Sequence, residues 1–379
     1  MIKIGIFGGT FDPVHNEHIS MAESAVKELN LDKLIVIPTY VSPHKIGKSV
    51  SSGNDRLNML KLAFSDNEKI EVSSFELDKE GVSFTYQTIL HFKSVYKNCQ
   101  LFFLMGSDML ENFPTWKNPQ IIVDNATLVL TKRSGSGFDD DYLKQIVIEK
   151  YGAKILTLEF EGQDVSSTKV RVYNKLGLDL TAFIPEKVGI YIKENNLYQG
   201  NEYYNYVKSK LKRSRLIHTA NVIITALKLC KSASVSSEDA ELSALLHDVA
   251  KYDTASDYPI KIDSNAPKSV VHQFLGAYVA KNVLGVENED VINAVKYHTT
   301  GRMGMTNLEK LIFTADLIEP SRDFNGVDEL RKLVEKDFFN GFNVCAVELY
   351  KYLLSSGNEV YYLTKQCAEY YKKEIKYEI

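Results

Sequence analysis

Short runs that are apolar at nearly every position alternate with helically spaced segments through the first half of this chain, and then the alternation stops. Lys3 to Phe7 is the first such run, followed by Leu34 to Pro38 (LIVIP), Leu101 to Met105 (LFFLM) and Ala126 to Thr131. Asn16 to Leu29, Arg56 to Phe64 and Tyr86 to Tyr96 lie between them with helical spacing. A strand that is apolar throughout must be covered on both faces, which predicts a parallel sheet flanked by helices. Such sheets bind ligands beyond the C-terminal ends of their strands. Past about residue 198 the pattern is helical, as in Ala240 to Lys251, Val270 to Val283, Val291 to Tyr297 and Leu308 to Ile318. The break is placed in Tyr198 to Tyr204 (YQGNEYY), where a Gly-Asn pair interrupts the pattern. A chain of 379 residues suits two domains with separate cores. The expectation is an α/β domain over 1–197 followed by an all-α domain over 205–379.

Charge and cysteine content narrow the function classes. A formal net charge of −4 offers no general attraction to nucleic acid or acidic lipid, so neither is expected as a partner. The four cysteines have no CxxC spacing, which suits a reducing compartment. No apolar run approaches the roughly 20 residues needed to span a bilayer, and no leader is evident. A cytoplasmic protein with no membrane partner is expected, with a homo-oligomer left open. The acidic run Asp139 to Asp141 reads as a helix N-terminus, where negative charge is favourable.

The first run leads into Gly8-Gly9-Thr10-Phe11-Asp12-Pro13-Val14-His15-Asn16-Glu17-His18. Glycines allow backbone N–H groups to approach phosphate, and a helix N-terminus favours anions. His15 and His18 share one face once the helix has begun, and two imidazoles there can stabilise charge on a reacting phosphorus. The string resembles the HxGH signature of the nucleotidylyltransferase superfamily, and residues 1–195 resemble its nicotinate-nucleotide adenylyltransferase family. Pro43-His44-Lys45, Ser83-Phe84-Thr85-Tyr86, Gly106-Ser107-Asp108, Pro114-Thr115-Trp116 and Ser166-Ser167-Thr168-Lys169-Val170-Arg171 match that family's later motifs in order. Glu17 departs from it, standing where the family has glycine.

The resemblance implies a Rossmann-like fold and transfer of AMP from ATP to nicotinate mononucleotide, with Mg²⁺ accompanying ATP. It implies that His15 and His18 hold the reacting phosphates while Lys45 and Arg171 neutralise phosphate charge. Gly8, Gly9, Thr10, Phe11 and Gly106 would line the nucleotide site, with Thr85 and Tyr86 in the substrate loop. Asp108 would bind ribose, Trp116 would stack on the pyridine ring, and Ser167 and Thr168 would offer N–H groups to phosphate.

The helical half holds His218, the adjacent pair His247-Asp248, His272, His298 and Asp316, all of them residue types that ligate iron, manganese or zinc. A carboxylate in the apolar segment LIFTADLIEP is costly unless a cation or hydrogen bond compensates it. This order resembles the HD metal-dependent phosphohydrolase superfamily. LLHDVAKYD, HTTGRMGM and ADLIEPSRDF resemble the bacterial members that cleave diadenosine tetraphosphate symmetrically. The resemblance implies an all-α HD-type domain in which His218, His247, Asp248 and Asp316 ligate one metal, iron by preference. Asp248 would also orient or deprotonate the attacking water. His272 and His298 would face a second metal or the substrate phosphates, and Arg215, Lys251, Arg302 and Arg322 are candidates for phosphate contacts. Two alternatives stay open at this point. The first domain could use phosphopantetheine or nicotinamide mononucleotide as acceptor. The second could be a nucleotide sensor or a different nucleotide phosphohydrolase.

Overall fold

The computed structural model describes residues 1–40, 50–106, 109–133, 141–160, 162, 165–357 and 359–377. Lys45, with the rest of Pro43-His44-Lys45, lies outside them, as do Ser107, Asp108, Asp139 and Asp140. The chain divides into two compact units: Met1–Arg171 with Leu180–Tyr198, and Val172–Asp179 with Gln199–Ile379.

The first unit runs β1 (Ile2–Gly9), α1 (Asn16–Glu28), β2 (Lys33–Pro38), α2 (Gly53–Ala63), β3 (Ile70–Val72), α3 (Phe75–Lys79), α4 (Thr85–Val95) and β4 (Cys99–Gly106). It continues through α5 (Pro119–Asn125), β5 (Ala126–Arg133), α6 (Asp141–Tyr151), β6 (Ile155–Phe160), α7 (Ser167–Lys175) and α8 (Glu186–Glu194). The sheet is parallel throughout, in the order β3-β2-β1-β4-β5-β6.

Alternate residues of each central strand enter opposite cores. Ile4 and Ile6, Ile35 and Ile37, and Leu101, Phe103 and Met105 face one side. Phe7, Leu34 and Val36, and Phe102 and Leu104 face the other. Fully burying each such side chain contributes about 1.5–3 kcal/mol, so a one-residue slip of register would be costly on both faces.

The flanking strands β3 and β6 were not anticipated. β3 has only three residues, and β6 is half exposed along its length, so neither carries a continuous apolar run. The order of connection reverses between β1 and β4, which opens a crevice at their C-terminal ends.

The second unit is helical among its described residues. Its helices are α9 (Glu202–Lys210), α10 (Arg213–Leu229), α11 (Ser237–Leu246), α12 (Lys268–Tyr278), α13 (Glu289–Tyr297), α14 (Asn307–Ile318), α15 (Val327–Lys336), α16 (Phe338–Ser355) and α17 (Tyr362–Tyr371). Val172–Asp179 belongs to this unit, where Val172, Leu176 and Leu178 join the core. The helix expected over Ala240 to Lys251 stops at Leu246. Three-residue backbone turns follow, from Val249 N–H to Leu246 and from Lys251 N–H to Asp248. The segment expected to end in Val283 finishes as a single π turn over Val279–Val283. No helix is long and apolar enough to cross a membrane among the described residues.

Candidate functional sites

In the first unit, β1 ends in the glycine pair and the chain turns sharply into α1. Open space lies where a Gly8 side chain would project, whereas a Cβ on Gly9 would meet the Phe11 ring at 2.8 Å. Phe11 takes a left-handed backbone (φ 51°) and is buried, an arrangement that persists only where the surroundings hold it. Its ring meets Phe7 at 5.2 Å and His18 at 5.0 Å, edge to face in both cases.

His15 is the N-cap of α1 and His18 stands one turn in, with the two rings stacked at 3.6 Å. The His15 backbone N–H donates to His18 Nδ1 (3.3 Å), which leaves Nε2 of His18 to carry the proton. Burial pushes the His15 imidazole down to about 4, and its buried Nδ1 has no hydrogen-bond partner.

A second helix start closes on this turn. Ser167 opens α7, and its hydroxyl donates to the Pro13 carbonyl (2.9 Å). Arg171 reaches back from the same helix and donates through Nη1 to the Asp12 carbonyl (2.6 Å) and through Nη2 to Thr168 Oγ1 (3.2 Å). Part of the Arg171 fork therefore holds the turn. Thr85 and Tyr86 open α4, and Gly106 ends β4. Trp116 is half-buried against Phe103 and Phe113, and its buried Nε1 has no partner. Arg56 carried no role in the sequence reading beyond opening a helix. It is buried and donates to the carbonyls of Thr10, Thr39 and Ser51 at 2.9, 2.7 and 3.1 Å, tying three loop ends together.

In the second unit, His218 lies on α10, His247 caps α11, His272 lies on α12, His298 caps α13 and Asp316 lies on α14. The fold brings all six together. His218 Nε2 lies 3.2 Å from His247 Nε2, 3.2 Å from Asp316 Oδ1 and 3.8 Å from Asp248 Oδ2. His272 Nε2 lies 3.2 Å from both His298 Nε2 and Asp248 Oδ1. The Asp248 carboxylate thus faces His218 and His247 with one oxygen and His272 and His298 with the other, and each set could hold a metal ion.

Partners behind the rings set their tautomers. His247 Nδ1 lies 2.7 Å from the Ala244 carbonyl and His298 Nδ1 lies 2.8 Å from that of Val295. His218 Nδ1 meets Glu319 Oε1 at 3.0 Å. Protons on Nδ1 of His247 and His298 turn their Nε2 lone pairs into the site, the arrangement that metal ligation requires. Burial of the His218 ring is outweighed by Asp316 and Glu319 on either side of it, which raise its pKa. The buried Oδ1 of Asp248 is left to face the His272 ring at 3.2 Å and the Lys251 ammonium at 3.3 Å. Burial opposes ionisation of Asp248, but His247 and the other facing imidazoles outweigh it and hold the carboxyl well below its usual range. The donor set of imidazoles and carboxylates suits a divalent transition metal.

Glu319 was missed by sequence reasoning. It is buried and also accepts from Asn221 Nδ2 and from Ser321, both by backbone N–H and by hydroxyl. Burial works against its ionisation, yet His218 and Ser321 hold its carboxyl down at about 2. The only available signal was an acidic residue one turn beyond Asp316. Arg215 and Lys251 lie on the two oxygens of Asp248 (2.9 and 3.3 Å), and Arg322 pairs with Asp316. Arg302 is different: its fork is held by the buried Glu309 at 2.8 and 2.7 Å, away from Asp248.

A parallel sheet with a histidine-bearing turn at its switch point, followed by helices converging five histidine and aspartate ligand positions on Asp248, defines a nucleotidyltransferase-type unit joined to an HD-type unit. Residues 6–172 match the cytidylyltransferase-like family and residues 215–321 match the HD domain. "Probable nicotinate-nucleotide adenylyltransferase" of Clostridium tetani is 41% identical over 200 residues, covering 52% of this chain and 100% of that protein. "Probable nicotinate-nucleotide adenylyltransferase/Ap4A hydrolase" of Mycoplasma genitalium is 31% identical over 342 residues, covering 88% of this chain and 93% of that protein. A solved structure from Clostridium acetobutylicum, described as a "predicted HD superfamily hydrolase involved in NAD metabolism", is 30% identical. It covers 46% of this chain and 96% of its own, with a TM-score of 0.43. The chain belongs to the nicotinate-nucleotide adenylyltransferase family, in the form that continues into an HD domain.

Proposed function

We propose that the chain is a bifunctional enzyme with one reaction in each domain, over 1–197 and 205–379. The first transfers AMP from ATP to nicotinate mononucleotide, releasing pyrophosphate and forming nicotinate adenine dinucleotide. The acceptor phosphate attacks the α-phosphorus directly, so the protein's work is positioning and charge stabilisation. His18 donates through Nε2–H to an oxygen of the reacting phosphate, and His15, neutral in the free protein, takes up part of the developing charge. Gly8, Gly9, Thr10 and Phe11 form the floor, and Ser167 and Thr168 present the α7 N-terminus to phosphate. Arg171 neutralises charge from the fork atoms not engaged by Asp12, together with Lys45. Gly106 lines the nucleotide site, Asp108 takes the ribose, Thr85 and Tyr86 form the acceptor loop, and Trp116 stacks on the pyridine. Mg²⁺ enters with ATP, bound mainly through its phosphates.

The second reaction splits diadenosine tetraphosphate into two ADP by water attack. His218, His247, Asp248 and Asp316 would hold a divalent ion, iron by preference. When bound, that ion supplies Lewis-acid polarisation of the phosphoanhydride. Asp248 orients the water, while Arg215, Lys251, His272 and His298 bind the phosphate chain beside it. The observation that carries both halves is the relationship to the M. genitalium protein across 88% of this chain, since its name joins these two activities.

The test is a product assay on the intact chain. ATP is supplied with nicotinate mononucleotide, nicotinamide mononucleotide or phosphopantetheine, and diadenosine tetraphosphate separately with iron, manganese or zinc. Nicotinate adenine dinucleotide and ADP are the expected products. A different preferred acceptor would overturn the first assignment, and AMP with ATP as the hydrolysis products would overturn the second.

Two consequences follow from the sites themselves. Glu319 orients His218, so Glu319→Gln should weaken metal affinity by about 10- to 100-fold, read by competition with a chelator. His15 carries a proton in the unfolded chain below its ordinary 6.5, whereas the folded protein takes it up only near 4. The unfolded state binds more protons across that window, so stability is full above 6.5 and is lost as pH falls toward 4. The loss should reach roughly 3 kcal/mol. His15→Gln should flatten this acid limb for the first unit, whose unfolding can be followed through Trp116, the sole tryptophan.

A further inference from the structure

We infer that Tyr198 is a positioning residue for adenylyl transfer, acting through Asp12 on the turn that carries His15; the inference rests on the reading of the first domain given above. Tyr198 is the last residue of the first unit, 186 positions from Asp12 in the chain. It takes a left-handed backbone (φ 54°), an uncommon conformation for a tyrosine. Its hydroxyl donates to Asp12 Oδ1 at 2.6 Å, a short bond to a buried side chain.

Asp12 is the hub of this turn. The Ser51 N–H donates to the same Oδ1 (3.3 Å), and Arg171 Nη1 grips the Asp12 carbonyl (2.6 Å). Ser51 is in turn held through its carbonyl by Arg56, which also binds the carbonyls of Thr10 and Thr39. Tyr198 therefore sets the Asp12 carboxylate that joins the β1 turn to the start of α2. His15 lies three residues beyond Asp12 and packs on His18, so a shift of the turn displaces both imidazoles. An error of about 1 Å in such a group can cost as much as 100-fold in rate. Removing the phenol oxygen leaves a buried carboxylate oxygen with one weaker donor and a turn free to relax.

The test uses full-length Tyr198→Phe, which keeps the ring and removes only the hydroxyl. The kcat for dinucleotide formation should fall about tenfold, with KM for both substrates within about twofold, as expected when transition-state alignment is lost and ground-state binding is retained. Hydrolysis by the second domain should stay at the wild-type rate, and the melting temperature should fall by no more than about 5 °C, the cost of one buried hydrogen bond. In an Asp12→Asn background the same change should have little further effect, because the two residues act as one unit. Wild-type kcat in Tyr198→Phe would overturn the inference. So would parallel loss of both reactions with a lowered melting temperature, which would mark a general folding role. Absence of dinucleotide formation by the wild-type chain would instead overturn the function proposed for the first domain.

Discussion

Asp248→Ala will empty the helical site of metal and reduce hydrolysis of diadenosine tetraphosphate by at least about 1,000-fold, while adenylyl transfer continues at the wild-type rate. Both oxygens of this carboxylate are engaged, one toward His218 and His247 and the other toward His272 and His298. One substitution thus dismantles both donor sets, and loss of the ion removes Lewis-acid stabilisation worth several kcal/mol. The change also strips Arg215 and Lys251 of their partner, although both cations keep some contact with solvent. Asp248→Asn, which keeps the shape and removes the charge, serves as the companion variant. Metal content by mass spectrometry and both product assays on the same preparations are the measurements. Retention of stoichiometric metal by both variants would show that the ligand set is wrong.

His18→Ala should have the opposite selectivity. Dinucleotide formation should drop by about 100- to 1,000-fold, the cost of removing one preorganised donor from a developing oxyanion. Hydrolysis should be untouched. His18 is well suited to this comparison because its Nδ1 accepts the His15 N–H, leaving Nε2 as the donor. Its ring also packs on Phe11 and His15, so Ala leaves a gap in the turn. His18→Gln, whose amide NH2 reaches close to the position of Nε2, retains a donor and should recover part of the rate. Loss of both reactions in a folded His18→Ala protein would contradict a separate site in each domain.

The parts of this protein that were legible before any coordinates share one property: their signal is local. The β1, β2, β4 and β5 runs could be read because each is buried on both faces, whereas β3 and β6 at the sheet edges could not. His247 and Asp248 could be singled out because the order of six ligand-type residues along the helical half resembles that of a known family, and the fold brings those six together. The end of α11 at Leu246 could not, since the apolar spacing runs on through Val249 and Ala250, which are buried although they lie in turns. Arg302 shows the converse: its pairing with the buried Glu309 carries no mark in the sequence.

By itself, the sequence determined the parallel α/β half, the helical half, the paired imidazoles at the first strand's end and the identity of six ligand-type residues. Tertiary structure alone decided that Asp248 faces two donor sets at once, that Glu319 stands behind His218 and that Tyr198 closes on Asp12. The last two contacts join residues 101 and 186 positions apart. Hydrophobic periodicity encodes which face of an element is buried, but it says nothing about which polar groups then meet inside. That pairing emerges only when the packed elements bring particular partners within reach of each buried donor or charge.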